Sequence, residues 1–172
     1  LLSFTRLGKS GFGAVVNNGV IDLTGRLDPE INTIKDLITL NMENDAEDYI
    51  AGKTEDLSLS DITFLPVIPN PEKIMCIGLN YLEHKKETGR PDVDNPTIFT
   101  RFADSQVAHL QPLIKPDKSD RFDYEAEMAI VIGKGGRFIS EEEALDHIAG
   151  YTCYNDGSCL LYTSDAADES RG

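Results

Sequence analysis

The chain has 172 residues, of which 40% are hydrophobic and 27% charged, with a formal net charge of −14 and a pI near 4.5. That length suits one domain, or a small one joined to part of another, and the acidity excludes a nucleic-acid binder, because phosphate recognition needs clustered Lys and Arg. No apolar run is long enough for a membrane span, the N-terminal LLSFTRLGKS lacks the apolar core of a signal peptide, and three cysteines (Cys76, Cys153, Cys159) at no ligand spacing fit free thiols in a reducing cytoplasm.

In chain order, GFGAVVNNGVIDLT predicts two short strands around Asn17-Asn18-Gly19, a hairpin signal because Asn and Gly tolerate positive φ. TIKDLITL predicts a helix with Thr33 as N-cap and Ile34, Leu37 and Ile38 at helical spacing. The polar, acidic NMENDAEDYIAGKTEDLSLS reads as a surface helix and loop. Pro66, Pro69 and Pro71 then fix an extended connection and mark a domain boundary. Beyond it, KIMCIG is a short buried strand, and NYLEHKKETG a short helix capped by Asn80 and stopped by Gly89. PTIFTRF is another strand. SEEEALDHIAG reads as a second capped helix, Ser140 and Glu143 forming the box and Gly150 ending it, and YTCYND as a further strand.

Between these lies FDYEAEMAIVIG, Phe122 to Gly133, which reads as one strand. Alternation puts Asp123, Glu125, Glu127, Ala129 and Val131 on one face. Glu125 and Glu127 then have Cα atoms roughly 6.6 Å apart, where two carboxylates repel unless a cation sits between them. A hard divalent ion such as Mg²⁺ does this with oxygen ligands; a solvated acidic strand face is the simpler alternative. The apolar continuation of the same face favours burial, and Asp156, ending a later strand before Gly157, offers a further carboxylate. His84 stands three residues before Glu87 on the short helix, the spacing of a base oriented by a carboxylate or of an ordinary surface contact. GKGGRF lacks the spacing of a phosphate loop and reads as a turn between strands. His109 and His147 read as surface or helix-end residues.

Together, FLPVIPNPEK, PEKIMCIGLNYLEHKKETG, PTIFTRFADSQV and FDYEAEMAIVIGKGGRFISEEEALDHIAGYTCYND resemble the fumarylacetoacetate hydrolase family. The Glu-x-Glu strand, the His-x-x-Glu helix and the downstream Asn-Asp follow in the family's order. The resemblance implies an α+β, β-rich fold: a small N-terminal domain over residues 1–68, and an incomplete mixed β-roll catalytic core over 69–158. It implies one Mg²⁺ or Mn²⁺ on Glu125, Glu127 and Asp156, with His84 and Glu87 activating water or moving a proton, Asp123 near the rim, and Arg101 as a candidate substrate contact. The activity it implies is metal-dependent hydrolysis of carbon–carbon bonds in acylpyruvate or β-diketo acids, as in aromatic catabolism, by a cytoplasmic homodimer. Decarboxylation, isomerisation and hydration share the same metal site, and a non-catalytic acidic binding module is the alternative of another class. After Ser158 the family pattern breaks. Residues 159–172, CLLYTSDAADESRG, lack strand or helix period and resemble a translated sequencing adapter, so they are expected to be a non-native tail and the chain as written an inactive fragment.

Overall fold

The computed structural model describes residues 1–81, 95–118 and 120–159. Its first part is a five-stranded antiparallel sheet made of β1 (Leu2–Arg6), β2 (Lys9–Val16), β3 (Gly19–Asp22), β4 (Leu57–Ser58) and β5 (Thr63–Phe64), in the order β4-β3-β2-β1-β5. The β2–β3 turn is the one expected: Asn17 adopts φ 52°, and Val16 pairs with Gly19. Gly13 is required where β2 meets β3, because a Cβ there would run into the Ile21 carbonyl.

Two helices cover one face. In α1 (Ile34–Thr39) the Thr33 hydroxyl accepts the Asp36 N–H at 3.1 Å, satisfying an otherwise orphaned donor of the first turn. This helix and α2 (Glu43–Ile50) bury Ile34, Leu37 and Ala46 against Phe12, Ala14, Ile21 and Leu23. The opposite face closes over Leu2, Phe4, Val20 and Leu57. With both faces of its sheet covered, the N-terminal part holds nearly all the fully buried apolar side chains among the described residues.

The second part is built from antiparallel pairs: β6 (Ile74–Gly78) with β7 (Thr97–Arg101), β8 (Phe122–Asp123) with β11 (Ser158–Cys159), and β9 (Ala126–Ile132) with β10 (Ile148–Asn155). Along β9 and β10 burial alternates residue by residue, Glu127, Ala129, Val131, Thr152 and Tyr154 facing inward and Met128, Ile130, Ile132 and Tyr151 outward into solvent. Met75, Ile77 and Ile98 are likewise exposed on the β6–β7 pair. The two parts touch through Lys35–Glu72 at 3.1 Å, the Gln106 amide on the Ile68 carbonyl at 3.3 Å, and the edge-on rings of Phe64 and His109 at 5.0 Å. The whole is the expected α+β, β-rich arrangement.

Three local expectations differ from what is observed. Residues 140–150 do not form a capped helix: Ser140 Oγ accepts the Glu143 N–H at 3.3 Å, as in a box, but only a 3-10 turn at Ala144–His147 follows. The chain must re-enter the sheet at Ile148 to pair with Ile132, and Gly150 lies within β10 beside a register shift. The segment from Phe122 is two strands, β8 and β9, parted at Tyr124-Glu125 and paired to different partners. His147 is buried, its Nδ1 2.7 Å from the Lys134 carbonyl, whereas His109 is exposed as expected, its ring edge-on to Phe64.

Candidate metal centre

The break between β8 and β9 is where the carboxylates gather. The Asn155 side chain accepts the Glu125 N–H at 3.2 Å, and the Asp156 N–H donates to the Glu125 carbonyl at 2.9 Å. These bonds extend the β9–β10 ladder past its last pair, Asn155 with Ala126, and hold Asp156 beside Glu125. Glu127, one strand period on, shares the inward face. As a result Glu125, Glu127 and Asp156 each present an oxygen within 4.8 Å of the others. The two glutamates are partly exposed, and Asp156 is 2% exposed.

This donor set fits a hard divalent cation. All three ligands are carboxylates, the chemistry that suits Mg²⁺ or Mn²⁺. Burial, then the charges of Asp156 and Glu125, push the Glu127 carboxyl above its ordinary range, and Arg101 opposes the shift. Asp156 Oδ1 is buried and lacks a hydrogen bond of good geometry. A cation at the cluster would offset the charge that Glu125, Glu127 and Asp156 bring together.

Arg101, at the end of β7, closes the other side. Its Nε is in ion contact with Asp156 Oδ1, and its Nη2 donates to Ser158 Oγ at 2.9 Å. The side chain is 19% exposed. The Cys76 thiol on β6 is a hydrogen-bonding neighbour of the guanidinium, and burial, then the Asp156 charge, push it up. Tyr154, directly across from Glu127, is raised by burial as well. Asp123 is exposed and its carboxylate accepts the Tyr124 N–H at 2.8 Å, so it stands outside the cluster. His84 and Glu87 lie outside the described residues. The structure thus brings together the three carboxylates and Arg101 that the sequence pointed to. Sequence reasoning missed Ser158 as the guanidinium's second acceptor, Asn155 as the residue that holds Glu125, and the wall made by Cys76 and Tyr154. For Asn155 its place immediately before the acidic residue was the available signal.

A mitochondrial oxaloacetate tautomerase of Xenopus laevis is 49% identical over 102 residues, 59% of this chain and 32% of that protein. A fumarylacetoacetate hydrolase domain-containing protein 2 homologue of Dictyostelium discoideum is 33% identical over 150 residues, 85% of this chain and 49% of that protein. The chain therefore spans about a third of the length of the first of these and half of the second. Among solved structures, a fumarylacetoacetate hydrolase from Exiguobacterium antarcticum superposes with a TM-score of 0.74 at 24% identity, over 96% of this chain and 58% of that one. A maleylpyruvate hydrolase from Sphingobium, in complex with manganese(II) and pyruvate, superposes at 0.71 and 23% identity, over 91% of this chain and 58% of that one. At these identities the two structures show a shared fold. Residues 73–170, which contain every carboxylate of the cluster, match the family model described as fumarylacetoacetate (FAA) hydrolase C-terminal, and the chain belongs to the fumarylacetoacetate hydrolase family.

Proposed function

We propose that this chain carries the divalent-cation centre of an enzyme that interconverts the keto and enol forms of a small 2-oxo dicarboxylic acid, with Mg²⁺ or Mn²⁺ on Glu125, Glu127 and Asp156. The observation that carries the reading is the convergence of those three carboxylates to within 4.8 Å across a strand break. The substrate class rests on the 49% identity to an oxaloacetate tautomerase. Hydrolysis of acylpyruvates, the activity expected from the sequence, begins with the same demand for enolate stabilisation and is the second reading.

A divalent cation bound there supplies Lewis acidity, drawing electron density from the 2-oxo group and stabilising negative charge on its oxygen. The chain's own residues do the rest. Glu125, Glu127 and Asp156 hold the ion, while Arg101 offsets part of their charge. Three carboxylates, one guanidinium and one divalent cation make a site close to neutral, so an anionic substrate meets little repulsion there despite the overall charge of −14. Cys76 and Tyr154 keep water from one side and lower the local dielectric, which strengthens each interaction within. His84, with Glu87 orienting it, takes the proton from the carbon next to the 2-oxo group and returns it; in the hydrolytic reading the same pair activates water. Assembly as a homodimer belongs to this proposal.

Because the chain spans a third of the Xenopus relative, turnover is best read in a chimera that places residues 73–158 in the corresponding segment of that enzyme. Decay of the enol absorbance of oxaloacetate in Mg²⁺ or Mn²⁺ should persist, and Glu127→Gln in the graft should abolish it. A graft that binds Mn²⁺ and cleaves an acylpyruvate but leaves the oxaloacetate enol untouched would move the hydrolytic reading to first place.

A further inference from the structure

We propose that Arg101 is a positioning residue for the metal centre, the side chain that ties the β6–β7 pair to the ribbon carrying the carboxylates; the proposal rests on the metal reading above.

Glu125 and Glu127 come from the start of β9, Asp156 from the turn after β10, and Ser158 from β11, which pairs with β8. The β6–β7 pair is a third, separate ladder. The Asp156 N–H on the Glu125 carbonyl bridges β8–β11 and β9–β10 into one interrupted ribbon, and among the described residues no backbone ladder ties β6–β7 to it. Arg101, the last residue of β7, contacts Asp156 through Nε and Ser158 through Nη2, while its own strand pairs with β6 and brings Cys76 alongside. One guanidinium thus reaches the segments on both sides of Gly157. Its fixed fork of donors suits this two-point hold; a lysine would carry the charge to the same place with one compact ammonium and a different geometry. Held by the guanidinium, the Asp156 carboxylate keeps an oxygen within 4.8 Å of those of Glu125 and Glu127. A residue that orients a metal ligand in this way commonly changes metal affinity by 10–100-fold when altered.

A counter-ion without a positioning role would behave differently. It would depend on charge alone, so lysine would replace arginine freely, and removing the charge would raise the affinity of the cluster for a cation.

The test is a Mn²⁺ titration of the 172-residue chain by electron paramagnetic resonance, with circular dichroism as the check on folding, for wild type, Glu127→Gln, Arg101→Lys and Ser158→Ala. Wild type should bind and Glu127→Gln should not. Arg101→Lys should weaken binding about tenfold or more with the circular dichroism unchanged, and Ser158→Ala, which keeps the ion pair but removes the second anchor, should weaken it by a smaller factor. Arg101→Lys binding as tightly as wild type would overturn the positioning role while leaving the metal reading intact. Should Arg101→Lys fail to fold, Ser158→Ala decides, and unaltered affinity in that variant overturns the role. Wild type and Glu127→Gln binding Mn²⁺ alike would overturn the metal reading and this inference with it.

Discussion

Replacing Glu127 by Gln should stabilise the metal-free chain and leave it blind to Mn²⁺. The oxygens of Glu125, Glu127 and Asp156 lie within 4.8 Å of one another. At that separation two like charges cost about 3.5 kcal/mol per pair with an effective dielectric of 20. Arg101 offsets most of the Asp156 share, and solvent at the partly exposed Glu125 screens the other, which leaves about 1–2 kcal/mol. The sign follows from the direction of the shift. The Glu127 carboxyl is raised above its ordinary 4.5, chiefly by burial. Its contribution to stability is therefore complete when it is protonated below that value and is lost as pH rises through the raised one. At neutral pH the neutral isostere should melt about 2–8 °C higher than wild type, and the gap should close under mildly acidic conditions. With Mn²⁺ at a hundred times its dissociation constant, wild type should gain about 2.7 kcal/mol, or about 5–11 °C, while Glu127→Gln should gain nothing. Scanning fluorimetry with and without MnCl₂ reads all four states. A Glu127→Gln variant that melts below wild type without metal, or that responds to Mn²⁺ as wild type does, would refute the reasoning.

Leu37→Ala should cost about 2–5 kcal/mol in urea unfolding, because Leu37 is fully buried between α1 and the sheet. Thr33→Ala should cost about 1 kcal/mol by the same measurement, with Thr33→Ser close to wild type, since the hydroxyl caps Asp36. Alkylation followed by peptide mapping should modify Cys153 quickly and Cys76 slowly, the latter being buried and its thiol held above its ordinary range. Acylpyruvate hydrolysis by residues 1–172 as written should be undetectable by loss of diketone absorbance, because Glu125 and Glu127 stay partly open to solvent and Met75, Ile98 and Met128 lie exposed on the strand pairs.

Local signals were legible wherever a few adjacent residues decide the outcome. Asn17 makes its turn because Asn tolerates the positive φ it adopts there, and Thr33 starts a helix because its hydroxyl reaches a donor three residues on. Ser140 to Gly150 carries the same kind of signal, and part of its box forms. The helix does not follow, because ladder bonds along β10 run back to Ile148 and take the backbone groups that a helix would have used. The burial of His147 was not legible either, since it depends on the Lys134 carbonyl thirteen residues away at the start of the same long connection.

The carboxylate centre divides in the same way. Glu125 and Glu127 fall on one side of the chain by period alone, so their pairing was readable even though the continuous strand assumed for it is broken at Tyr124-Glu125. Asp156 is another matter. No spacing rule brings it to Glu125. That depends on the register of β10 on β9, which sets Asn155 against Ala126, on the Asn155 amide holding Glu125, and on the Asp156 N–H reaching the Glu125 carbonyl. The family's order of motifs stood in for that register, naming the residue without giving its reason. Arg101 shows the limit of such substitution. The resemblance offered it as a candidate substrate contact; the fold brings its guanidinium onto Asp156 and Ser158, a contact that only the approach of β7 to the segment around Gly157 reveals. What a sequence pattern transmits is which groups the chemistry needs; which groups hold those in place is written in the pairing of strands distant in sequence.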